Sequence, residues 1–208
     1  KKEAGMSKKN PVFYRVLRFI LTPIFKLYYN PKIINKEVIP KNGAILLCGN
    51  HLHFMDQFPV IASTKRTIHW MSKKEYFEGK HRLSFKLVGC ISVDRSAHNG
   101  VAKAEAIRYL KMGSAVGLFP EGTRNRTSAE LLPFKKGAAK MAREINCPIV
   151  PFAVTGEYKF RSKNLMVRFG NPIDVGEKTV EEVTEELKSE ILSLQRENYK
   201  ATEKSKNT

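Results

Sequence analysis

Residues 44–56 read AILLCGNHLHFMD. The apolar run at 44–49 follows an Asn42-Gly43 turn signal and is too short for a helix, so it predicts a buried strand. The segment after it, Asn50 to Asp56, is polar and carries two histidines and an aspartate. Layered α/β proteins place their chemistry in such loops, just past the carboxyl ends of strands. The same alternation continues along the chain. Residues 67–71, 91–93, 115–119, 149–154 and 165–169 predict further strands. Residues 100–112, 134–146 and 179–199 predict helices. Gly113 stops the first of these, and the last carries an apolar stripe through Val183, Leu187, Ile191 and Leu194. The expected fold is α/β, with a mixed, largely parallel central sheet flanked by helices.

Upstream, residues 11–29 read PVFYRVLRFILTPIFKLYY. Arg15, Arg18 and Lys26 interrupt this stretch and Pro23 kinks it, so it falls short of the roughly 20 apolar residues that span a bilayer. On a helix, Phe13, Val16, Leu17, Ile20 and Leu21 share one face, and Ile24, Leu27 and Tyr28 continue it past Pro23. Basic residues mark the flanks, where they can snorkel to headgroups. The pattern predicts an amphipathic membrane-surface segment, with Phe13, Leu17, Ile20, Leu21 and Phe25 as lipid-contacting residues. The same pattern also describes a helix packed on its own domain. The organisation read from the sequence is therefore a docking segment over 1–35, a folded domain over 36–200 and a polar tail over 201–208. Residues 1–5 carry no structural weight.

The chain has 208 residues, enough for one domain, with 42% apolar residues, which excludes a wholly disordered chain. Its 37 Lys and Arg against 20 Asp and Glu give a net charge of +17. That charge suits a polyanionic partner, either nucleic acid, an anionic lipid surface or an acidic protein. No nucleic-acid-binding motif accompanies it. Cys48, Cys90 and Cys147 lie apart in apolar surroundings, which argues against a disulfide framework or a zinc site and fits a reducing compartment. No secretory signal is visible.

Four segments carry candidate chemistry. In Asn50–Asp56, the Asp56 carboxylate reaches one imidazole nitrogen of His51 if the loop curls into a helical turn, leaving the other nitrogen to take a proton from a hydroxyl. His53 leaves a metal-site reading of His-x-His-x-x-Asp open, though no further ligand cluster follows. In Phe119-Pro120-Glu121-Gly122-Thr123-Arg124, a guanidinium follows a Gly-containing turn, an arrangement suited to gripping a phosphate. Arg126, Lys135 and Lys136 add charge nearby. Gly89–Arg95 ends a short strand with Asp94 and Arg95, a common place for a structural ion pair. Cys147–Phe152 is a Pro-bracketed apolar strand.

Together these blocks resemble the PlsC-like glycerolipid acyltransferases, the 1-acylglycerol-3-phosphate acyltransferase family, over about residues 40–175. Asn50, His51 and Asp56 match Asn-His-x-x-x-x-Asp. Gly89, Ile91, Asp94 and Arg95 match Gly-x-Ile-x-x-Asp-Arg. Phe119–Arg124 match Phe-Pro-Glu-Gly-Thr-Arg in full, and Val150-Pro151 match the fourth block. Ser72–Phe77 looks like a further Lys-containing stretch of the family. One departure is His53, where the family often has Ser.

The resemblance implies a membrane-associated acyltransferase. It would use His51 and Asp56 as its catalytic pair, with Arg124, Glu121, Gly122, Thr123, Lys74, Lys136 and Arg95 on the substrate side. The acyl donor would be a thioester of acyl-carrier protein or coenzyme A, with no metal or other cofactor. The acceptor would be a lysophospholipid, the other partner an anionic membrane surface, and the location its cytoplasmic face, peripheral or monotopic. Nucleic acid is not an expected partner.

Overall fold

The computed structural model describes residues 11–79, 82–94 and 100–204. Helix α1 (Pro11–Tyr29) leads into strand β1 (Lys32–Ile34). There follow β2 (Ile45–Gly49), α2 (Gln57–Ser63), β3 (Ile68–Lys73), α3 (Arg82–Leu87) and β4 (Ile91–Val93). The chain continues through α4 (Val101–Lys111), β5 (Ala115–Leu118), α5 (Gly137–Ile145), β6 (Ile149–Thr155), β7 (Met166–Phe169) and α6 (Val180–Lys204).

The strands form one sheet in the order β1-β7-β6-β2-β5-β3-β4. Every pairing is parallel except β6 with β7. The mixed, largely parallel sheet expected from the sequence is therefore present. Strand β2 shows why both sides of it are covered. Successive side chains of a strand point to opposite faces. Leu46 and Cys48 pack into the cluster shared with α4, α5 and α6, while Ile45 and Leu47 pack into the cluster that takes Phe25 of α1 and Val60 of α2. All of β2 is buried, which is why its sequence is continuously apolar rather than alternating.

Three elements had no clear sequence signal. The edge strand β1 is three residues long and lies within the stretch read as membrane-docking, so that stretch contributes to the sheet. Helices α2 and α3 are short, and α2 tolerates Pro59 because a first helical turn has no amide bond to lose there.

Helix α1 runs unbroken through Pro23. Its orientation corrects part of the sequence reading. Tyr14 and Phe25 are buried against the domain, and Phe25 packs on Tyr29 and Phe58 at centroid distances of 5.1 and 6.0 Å. Phe25 is therefore a core residue, not a lipid-facing one. Arg18 is turned the same way, donating from Nη1 to the Thr64 carbonyl at 3.1 Å, rather than flanking the apolar face. Leu17 is half-buried and lines a cavity open to the surface. Phe13, Ile20 and Leu21 are exposed, as are Val16, Phe19 and Leu27. The helix thus shows water an apolar face, with Phe19 80% exposed. Among the described residues, no helix is long and apolar enough to cross a membrane. All three cysteines are buried.

Candidate active site

Strands β2, β5 and β6 are neighbours and end at the same edge of the sheet. The loops leaving β2 and β5 meet there. Asn50 ends β2 by a side-chain imitation of strand pairing. Its Nδ2 donates to the Val154 carbonyl and its Oδ1 accepts from the Val154 N–H, both at 2.8 Å. This lets the main chain leave the sheet without orphaning β6, and a buried Asn is satisfied by it. The His51 backbone is then fixed at both ends by the loop after β5. Its N–H donates to Glu121 Oε1 at 2.8 Å, and its carbonyl accepts from the Asn125 N–H at 2.7 Å.

The His51 ring stacks on Phe119 at a centroid distance of 3.9 Å, and its Nδ1 lies 3.0 Å from Asp56 Oδ2. That same oxygen accepts from the N–H groups of Leu52 and His53, each at 2.7 Å, and Oδ1 accepts from the Tyr158 hydroxyl at 2.9 Å. Asp56 is 1% exposed. A carboxylate receiving two amide protons acts as an acceptor, so Nδ1 carries the imidazole proton and Nε2 is the basic nitrogen. Bonds to a charged acceptor are worth about 1.5–3 kcal/mol each, and together they hold the carboxylate in one orientation.

Tyr158, in the loop after β6, was not visible as a site residue from the sequence. It lies 102 positions from its partner with no motif around it. Burial first, and then the Asp56 charge, push its phenol far above the ordinary value, so it remains a donor. His53 stacks on Tyr158 at 4.6 Å and its Nδ1 accepts from the Met55 N–H at 3.3 Å. Among the described residues no group of three or more His, Cys, Asp and Glu side chains converges as a metal site.

Glu121 is buried, with Oε2 accepting from the Leu132 N–H at 2.9 Å. Burial raises its pKa, while the bonds from Leu132 and His51 pull the other way. Both oxygens are engaged by backbone, so Glu121 orders the turn. Gly122 adopts φ +71°, where a Cβ would lie 2.8 Å from Lys135 Cε. The positive φ is what favours glycine there, since the flexible end of Lys135 could move aside.

His51 opens into a cavity of about 1370 Å³. Five cations line it, namely Arg18, Lys73, Arg124, Arg126 and Lys135, and no carboxylate does so among the described residues. Gly122 and Thr123 also line it. The remaining wall is mainly apolar, with contributions from α1, α2 and α3 such as Leu21, Phe58, Ile61 and Phe85. The first turn of α5 faces it through Gly137 and Ala138, adding the positive end of a helix dipole.

Two of the sequence-selected lysines lie elsewhere. Lys74 pairs with Asp94 at 3.2 Å and Glu78 at 3.6 Å and lines a separate depression, and its neighbour Lys73 faces the cavity instead. Lys136 pairs with Glu181 of α6, and Lys135 takes its expected place. Each pair straddles an element boundary, Lys73 ending β3 where Lys74 begins a short helical turn and Lys136 capping α5, which a Lys-Lys dipeptide does not resolve. Arg95 lies outside the described residues, and Asp94 is paired with Lys74. His69 is buried and stacks on Tyr109 at 3.6 Å.

The sequence pattern of the Acyltransferase family matches residues 30–155, well over half of the chain and most of the site just described, including His51, Asp56, Glu121 and Arg124. The chain belongs to that family. A 1-acyl-sn-glycerol-3-phosphate acyltransferase of Bacillus subtilis is 30% identical across 77% of this acyltransferase and 82% of its own length. One from Borreliella burgdorferi is 31% identical across 66% of this chain, which spans only 56% of that relative. The crystal structure of the Thermotoga maritima 1-acyl-sn-glycerophosphate acyltransferase, PlsC, superposes with a TM-score of 0.69 over 92% of this acyltransferase and 79% of that chain. At 21% identity this shows a shared fold.

Proposed function

We propose that this acyltransferase moves a fatty acyl group from a thioester, carried by acyl-carrier protein or coenzyme A, to the sn-2 hydroxyl of 1-acylglycerol-3-phosphate, giving phosphatidic acid. One observation carries the reading. The basic nitrogen of an Asp-held histidine and five cations open into the same cavity, whose remaining wall is largely apolar. A lysophospholipid has the matching parts, a hydroxyl a few bonds from a phosphate and a long hydrocarbon chain. The names of the relatives point to the same acceptor.

In this mechanism Arg124, with Arg126 and Lys135, holds the phosphate and presents the hydroxyl to His51. His51 removes the hydroxyl proton as the oxygen attacks the thioester carbonyl. The C–O bond forms, the C–S bond breaks, and His51 returns the proton to the departing thiolate. Asp56 fixes the tautomer and stabilises the imidazolium between the two steps. The outward apolar face of α1 docks the enzyme on an anionic membrane surface, where acceptor and product reside.

A thiol-release assay on the His51→Ala variant tests the reading. Turnover should fall by about 10²–10⁴-fold, the usual contribution of a positioned base, while binding of lysophosphatidic acid is retained. Wild-type turnover in that variant overturns the mechanism. A panel of glycerol 3-phosphate and other lysophospholipids, assayed with both donors, tests the acceptor. A higher kcat/KM on any of them than on 1-acylglycerol-3-phosphate overturns the substrate assignment.

A further inference from the structure

We propose that the loop between β6 and β7, residues 157–164, is a second element that contacts anionic lipid, carrying Phe160 into the bilayer interface beside α1. The inference rests on the docking of α1 proposed above and extends it to a segment distant in sequence. Phe160 is 65% exposed, yet its ring stands edge-on to Tyr28 in the last turn of α1, with centroids 5.1 Å apart at 68°. The main chain is fastened to the helix as well, the Arg161 N–H donating to the Tyr28 carbonyl at 2.6 Å. Phe160 therefore continues the exposed apolar face of α1 past the end of the helix.

The loop is shaped to hold that ring outward. Its tip is closed by the Ser162 N–H donating to the Lys159 carbonyl at 3.1 Å. Its base is closed by Asn164, whose Oδ1 accepts from the Glu157 N–H and from the Ser162 hydroxyl. Gly156 precedes it at φ +93°, where a Cβ would lie 2.1 Å from the Asn164 carbonyl oxygen, so a side chain there would force the base apart. A backbone this specified, presenting a large aromatic ring to water, calls for a partner.

Charge identifies the partner. Lys159, Arg161 and Lys163 alternate along the loop and are exposed, against the single carboxylate of Glu157, which pairs with Lys159 at 3.0 Å. An aromatic ring flanked by long cationic side chains suits the headgroup region of an anionic bilayer, where the ring sits at the apolar boundary and the cations reach phosphates. The same loop carries Tyr158, bonded to Asp56, and Tyr28 lines the substrate cavity. The surface proposed to meet lipid is therefore contiguous with the catalytic end of the sheet.

The test is co-sedimentation of the full chain with phosphatidylcholine vesicles, with and without phosphatidylglycerol. Three variants are compared with wild type: Phe160→Ser, the triple Lys159→Gln/Arg161→Gln/Lys163→Gln, and Phe19→Ser/Leu27→Ser on α1. Phe160→Ser should bind anionic vesicles about tenfold or more weakly. The triple variant should lose about fivefold per cation on anionic vesicles and nothing on neutral ones. Turnover of a short-chain acceptor below its micellar concentration should be unchanged in all three. Phe160→Trp, which keeps an aromatic ring at the tip, should show a blue-shifted emission on adding anionic vesicles, over the Trp70 background. If the loop variants bind as wild type while the α1 variant is weakened, the loop proposal is overturned and α1 docking stands. If the α1 variant also binds as wild type, the docking reading falls and takes the loop with it. Loop variants that still sediment with vesicles but lose turnover only with an acyl-carrier-protein donor would make this a protein-docking loop and overturn the lipid assignment.

Discussion

The Asp56 carboxylate accepts from two amides, one imidazole and one phenol, and only the phenol comes from another part of the chain. Tyr158→Phe removes that contact while keeping the ring that stacks on His53. It should cost about 1.5–3 kcal/mol of stability, as for a bond to a charged acceptor. It should also lower kcat without moving KM, since Tyr158 acts through Asp56 and is not among the cavity-lining residues. Chemical denaturation and steady-state kinetics measure the two effects. Glu121 gives a pH dependence. Its folded pKa is raised, so the folded state holds this proton more tightly than the unfolded chain. Its contribution to stability is complete below the ordinary carboxylate value and is lost as pH rises through the raised one. Glu121→Gln removes that slope. The Tm of the variant relative to wild type should therefore climb with pH across this window, as thermal unfolding at a series of pH values would show. His51, Asp56 and Arg124 were legible because short motifs keep their chemistry local. Tyr158 was not, because its role arises only when the end of β6 folds beside the end of β2.

The strands were legible for a different reason. Sheet positions buried on both faces demand continuous apolar runs, and those at 44–49, 115–119 and 149–154 are unmistakable. Short elements held mainly by tertiary contacts, such as β1 and α3, leave little local pattern. Helix α1 shows the limit of periodicity. The spacing of its apolar residues defines a face, but not whether that face meets protein or something else. In the folded chain Tyr14, Arg18 and Phe25 face the domain, while much of the more apolar side is left outside. Where β2 hands over to the catalytic loop, Gly49 lies against the ring of Phe152, and a Cβ there would come within 2.2 Å of Phe152 Cε2. Both residues are wholly buried or nearly so, so the ring has nowhere to retreat. Gly49→Ala should destabilise the fold by about 1–3 kcal/mol through overpacking and, by shifting the end of β2, lower turnover as well. Equilibrium denaturation with parallel activity measurement checks this.

The molecule as a whole carries a net charge of +17, while the partners proposed for it, a lipid phosphate, an anionic bilayer and an acyl donor, are all anionic. Screening at an ionic strength near 1 M shortens the reach of charge to about 3 Å. Binding to anionic vesicles should therefore weaken steeply with salt, whereas thermal stability, which rests on the two apolar clusters, should move little. Titrating salt in a vesicle-binding assay and in thermal unfolding separates the two. One consequence concerns how α1 can be interrogated. Its outer surface is unburied, but Leu17, Leu21 and Phe25 form part of the cavity wall and Phe25 belongs to the core. Truncating the helix would remove part of the cavity wall and strip the sheet of cover in the same stroke, so loss of activity on truncation does not isolate membrane attachment. Separation-of-function alleles must instead be sought among outward positions such as Phe19 and Leu27, where attachment can be lost while the cavity wall stays intact.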